Sequence, residues 1–126
     1  PRFDIQTNLD SDDLISQDYI AKIKQEVSLN MDKPTVLSFQ PYKIDFKTMK
    51  RYRMWERYAE FGRCSMFYSL YLPKTENHEN IFNFDHSFIN SYYSNVIYVP
   101  EGYCDMVIHD NNWMTDLKPN LGEVQC

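Results

Sequence analysis

Two stretches of this 126-residue chain gather the groups best able to do chemistry. The chain opens PRFDIQTNL, and a first-position proline, Pro1, carries a secondary amine. An α-amino group titrates nearer neutrality than a lysine, so one partly buried beside a cation can act as a neutral base. The competing reading is a proline that merely opens a strand. The second stretch, KTMKRYRMWERY, interleaves Lys50, Arg51, Arg53 and Arg57 with Tyr52 and Trp55, a composition that holds phosphates and stacks on bases. A solvated strand edge guarded by charge gives the same pattern. Elsewhere His78, His86 and His109 are scattered with no HxH or HExxH spacing, so no metal site is expected. Cys64, Cys104 and Cys126 are odd in number and widely spaced, which argues against a disulfide framework and for a reduced compartment. No GxGxxG, P-loop or serine-elbow pattern is present, and no cofactor is expected.

The elements that must carry these groups follow from periodicity. RFDIQTNL alternates Phe3, Ile5 and Thr7 against Arg2, Asp4 and Gln6, which predicts a half-buried strand over 2–8. Ile15, Tyr19, Ile23 and Val27 recur every four residues, with Ile20 beside them, and predict a helix over 16–30. Ser16 would cap it, and Asp12, Asp13 and Asp18 would face its positive end. TVLSFQPYKIDF predicts a strand with Pro41 at a kink or edge. The basic stretch fits an exposed strand or a short helix. RCSMFYSLYL is apolar almost throughout and predicts a central strand covered on both sides. Ile81, Phe84, Phe88 and Tyr92 line one face of a second amphipathic helix, and NVIYVP and CDMVI read as two further strands.

Strand, helix, strand occurs twice, so the expected class is α+β: two βαβ-type halves in one four-stranded mixed sheet with two helices on one face. A sheet covered on one side only would need a partner on the other, which leans toward an oligomer. With 43% apolar and 25% charged residues and only three glycines, the composition is that of one ordinary domain spanning 1–126, not of a disordered or fibrous chain. Net charge is −5 with the bases clustered, so nucleic acid is an unlikely partner for the whole surface. No leading apolar segment and no 18-residue apolar run is visible, which points to a cytoplasmic protein, or one exported by an unconventional route, with no membrane contact.

The opening PRFDIQTNL, with Thr7 and Asn8 after the alternating strand, resembles the N-terminus of the macrophage migration inhibitory factor and D-dopachrome tautomerase family. NMDKP is similar to that family's Gly-Lys-Pro, with Asp32 in the glycine's place, and GRCSMFYSLYL and DNNWMTDL resemble its central strand and C-terminal segment. The resemblance implies a homotrimeric barrel, keto-enol tautomerisation of small aromatic keto acids, and a cytokine-like or host-modulating role through a receptor or host protein. It implies Pro1 as the base and Lys33 as the holder of the substrate carboxylate, although a lysine at a helix C-terminus also suits the dipole. It places Tyr98, or equally Ile97, in the pocket, and Trp113 and Leu117 around the substrate, the last two being equally suited to interface packing. Two departures weaken catalysis: Ser69-Leu70-Tyr71 lacks the glycine of the family's pocket turn, and Phe61-Gly62-Arg63, closing a basic insert over 43–63, stands where the family has a Gly-Gly-Ser loop. The alternative is an inactive binding module whose insert, through Lys50, Arg51 and Arg53, grips a protein or polyanion. Residues 118–126 read as a tail.

Overall fold

The computed structural model describes residues 3–9, 13–29, 32–54, 56–73, 89 and 93–108. The chain is α+β, with two four-stranded mixed sheets rather than the single sheet expected from sequence. Strand β1 (Phe3–Thr7) leads to a two-residue β2 (Leu14–Ile15) and helix α1 (Tyr19–Ser28). Strands β3 (Thr35–Phe39), β4 (Tyr42–Asp45) and β5 (Arg51–Arg53) follow, then the one-turn helix α2 (Tyr58–Phe61). Strands β6 (Tyr68–Pro73), β7 (Val96–Val99) and β8 (Cys104–Ile108) complete the described chain. One sheet has the order β1-β6-β3-β7 and the other β2-β8-β4-β5.

The apolar run at β6 behaves as its composition demands. All six of its residues are buried, and it lies between β1 and β3, antiparallel to both. Its side chains divide between two clusters: Tyr71 joins Tyr19, Ile23, Leu37 and Phe39, while Tyr68, Leu70 and Leu72 join Val36, Cys64 and Ile89. Both faces of β6 are therefore buried within the chain. The expected βαβ neighbours β1 and β3 are separated by β6, and the parallel pair is instead β3 with β7. Ser69-Leu70-Tyr71 sits inside β6 and forms no turn.

Thr7 and Asn8 fasten β1 to its neighbour. The Thr7 and Ser69 hydroxyls share a hydrogen bond of 2.9 Å, and the Asn8 side-chain amide donates to the Met66 carbonyl at 2.7 Å. Pro41 marks a change of sheet. The stretch read as one kinked strand is two, β3 in the first sheet and β4 in the second, with fully buried Pro41 between them. A proline has no N–H to extend a ladder, so pairing stops there. The helix also starts later than expected: Leu14 and Ile15 pair with Asp105 and Cys104, and Ser16 donates its backbone N–H to the Tyr103 carbonyl. Asp18, not Ser16, stands at the N-cap, and no side chain caps the helix. Its stripe Tyr19, Ile23 and Val27 is buried as the spacing predicts. The helix expected around residues 81–92 lies outside the described residues apart from buried Ile89.

The second sheet packs Cys104, Met106 and Ile108 into the same core as α1 and the first sheet. Alternation then puts Asp105 and Val107 on its other face, where the site described next is built.

Candidate functional site

Parallel pairing sets Asp105 beside Tyr42, and antiparallel pairing sets it beside Leu14. Arg51 of β5 reaches the same carboxylate with two parallel hydrogen bonds, Nε to Oδ1 at 3.0 Å and Nη2 to Oδ2 at 3.1 Å. Asp105 is 7% exposed, so this bidentate pair is partly desolvated and geometrically fixed. Asp13, just before β2, accepts the Val107 backbone N–H on Oδ1 at 3.3 Å. The Cys104 thiol, on the core side of β8, is pushed well up by burial first and then by the charges of Asp105 and Asp13, so it stays protonated. An open cavity of about 240 Å³ lies over this junction, lined by Leu14, Ser16, Tyr42, Arg51, Tyr103 and Asp105 among others. Ser16 Oγ is buried and has no hydrogen-bond partner among the described residues. Gly102, at φ +125°, forms part of the wall in a conformation that L side chains rarely adopt.

A second cleft of about 170 Å³ opens beside α2 and is lined by Gln40, Arg57, Glu60, Tyr98 and Pro100, with Ser38 at its base. Its rim is held by Glu101, which binds Arg57 through both carboxylate oxygens and Arg53 at 3.5 Å. Burial alone would raise the Glu101 carboxyl, but the hydrogen bonds of Arg57 and the charges of Arg57 and Arg53 hold it below the usual range. Gln40 is committed to structure: its side chain donates to the Glu56 carbonyl at 2.9 Å and accepts the Tyr58 N–H at 3.0 Å. The first cavity therefore offers the stronger chemistry, having the Asp105 carboxylate in its lining and, at Ser16, a hydroxyl with no hydrogen-bond partner among the described residues.

The residues singled out from sequence are dispersed. Pro1, Trp113 and Leu117 lie outside the described residues. Lys33 is exposed ahead of β3, where its carbonyl accepts the Thr35 hydroxyl at 3.1 Å, and it lines neither cavity. Tyr98 is half-buried on β7 and lines the cleft with Arg57. Of the basic trio, Arg51 enters the cavity and Arg53 reaches Glu101, while Lys50 is exposed at the start of the hairpin's second arm. Arg51 and Arg53 thus lend their charge to two acids of this same chain.

A family model described as "Putative rhamnosyl transferase" matches residues 2–116. The chain belongs to this family. The match covers nearly all of the sequence, and it overturns the likeness to the migration inhibitory factor and tautomerase family, whose quoted motifs are short. With that go the cytokine-like role, the keto-enol chemistry with Pro1 as its base, and the reading of an inactive binding module. The trimeric barrel was an implication of the same resemblance and has no support apart from it. No match to the chain emerges among curated proteins or among solved structures.

Sequence reasoning passed over Asp13 and Asp105. Asp13 reads as a helix-dipole acid, but β2 intervenes and α1 has no acid in its first turn. The available signal was three carboxylates in four positions, Asp10, Asp12 and Asp13, directly after a strand. For Asp105 it was a single acid inside the otherwise apolar strand CDMVI, a placement that demands a buried partner.

Proposed function

We propose that this protein transfers a rhamnosyl group from a donor activated by a phosphate or diphosphate leaving group to a hydroxyl of an acceptor. Membership of the rhamnosyl transferase family over residues 2–116 is the observation that carries the reading. In such a transfer the bond between the anomeric carbon and the leaving oxygen breaks. The acceptor oxygen forms the new bond and gives up its proton. The leaving phosphate gains negative charge as this happens, so the reaction gains from a cation at that oxygen. Carboxylates supply hard oxygen ligands of the kind Mg²⁺ and Mn²⁺ take together with substrate phosphates. The run Asp10, Asp12, Asp13 is the chain's densest such set, and Asp13 anchors its end against β8 beside the cavity.

The test is transfer from a nucleoside-diphosphate L-rhamnose by the whole protein, followed as released nucleotide. Activity should disappear with a chelator, return with Mg²⁺ or Mn²⁺, and fall at least about 100-fold in Asp12→Asn, the scale on which removing a group that stabilises developing charge acts. A wild-type protein that neither turns over nor binds such a donor would sink the reading.

A further inference from the structure

We infer that the cavity at the junction of β2, β4 and β8 is a subsite for one 6-deoxyhexose ring, an assignment that rests on the transferase reading above. A pyranose presents hydroxyls around its edge and carbon-bound hydrogens on its faces, so its site needs fixed polar groups beside apolar and aromatic surface. The cavity supplies both. Tyr42 and Tyr103 bring aromatic surface to the lining, and the Asp105 carboxylate, held in place by the Arg51 fork, has lone pairs able to accept from sugar hydroxyls. Ser16 lines the cavity and its Oγ has no hydrogen-bond partner among the described residues, and because such a hydroxyl costs stability until something bonds it, a turn of the side chain toward the cavity would bring it to a ligand. A sugar hydroxyl would satisfy it. Leu14, 43% exposed, and Ile15, 41% exposed, are large apolar side chains in the same wall. They suit the methyl group that a 6-deoxy sugar carries where other hexoses carry a hydroxyl.

The probe is free L-rhamnose, with its binding to the whole protein read by saturation-transfer NMR and titration. Saturation should reach the C6 methyl. L-Mannose, which differs by a hydroxyl at C6, should bind roughly fourfold more weakly for want of the buried methyl. Ser16→Ala should weaken L-rhamnose roughly fivefold, the scale of one hydrogen bond, without lowering the melting temperature, because the hydroxyl bonds nothing among the described residues. Arg51→Lys, which keeps the charge and loses the fork, should weaken it further. In the transfer assay, methyl α-L-rhamnopyranoside competing with the donor would assign the ring to the donor, and failure to compete while slowing transfer would assign it to the acceptor. Both results support the subsite. No saturation of L-rhamnose, or equal affinities in wild type, Ser16→Ala and Arg51→Lys, would overturn it. In that event, transfer from the nucleotide sugar would leave the transferase reading standing. Conversely, rhamnose binding that is lost in the variants, in a wild type that transfers nothing, would keep the sugar subsite and remove the transferase reading.

Discussion

Two side chains in the core illustrate how differently buried hydroxyls act. Tyr19 is fully buried, its ring centroid 4.4 Å from that of Phe39, yet its hydroxyl has no partner among the described residues. Burial pushes its phenol well above the usual range, so the group stays neutral in the folded protein. Ser65 is equally buried, but its oxygen accepts the Phe67 N–H at 3.1 Å and the hydroxyl donates toward the Phe39 carbonyl, stitching the entry to β6 onto the end of β3. Tyr19→Phe should therefore leave stability unchanged or raise it by up to about 1 kcal/mol, and Ser65→Ala should cost about 1–3 kcal/mol by stranding buried backbone groups. Urea denaturation of both variants checks the contrast.

Among the elements, the segment from β4 to α2 depends on two left-handed residues of opposite suitability. Gly62 closes α2 at φ +65°, with its N–H directed to the Ala59 carbonyl, a conformation in which glycine meets no Cβ penalty. Met49 ends the β4–β5 turn at φ +59°, although its N–H still bonds the Asp45 carbonyl at 2.7 Å. Gly62→Ala should destabilise by about 1 kcal/mol, and Met49→Gly should stabilise by a similar amount, with both read as shifts in melting temperature. This segment was ambiguous from sequence because its hydrophobic residues follow neither period for long. Arg51–Arg53 became a strand through pairing with β4 and through ion pairs reaching two other elements, none of which local spacing encodes.

Across the whole molecule, Glu101 ties the β7–β8 turn to β5 and to the start of α2. Its carboxyl is depressed in the folded state, so the stability it contributes is present above the unfolded value near 4.5 and is lost as pH falls through the folded value. Glu101→Gln should accordingly be less stable than wild type at pH 7, and the difference should shrink below about pH 4.5 and vanish at stronger acid. Thermal unfolding across that range measures it, and a gap that persists in acid would show that shape, not charge, holds the turn. The sequence by itself determined the elements whose cause is local: the period of two in β1, the four-residue stripe of α1, and the apolar runs of β6, β7 and β8. Each of those signals arises from which side of one element meets water, and that is written in neighbouring residues. Only the tertiary structure decided that Pro41 divides one apparent strand between two sheets, that β6 separates β1 from β3, that Arg51, Asp105 and Ser16 meet at one cavity, and that Asp13 is fastened to β8 at Val107. Those residues come from segments as much as ninety-two positions apart in the chain, and no periodicity relates them; pairing register and the closing of long loops brought them together.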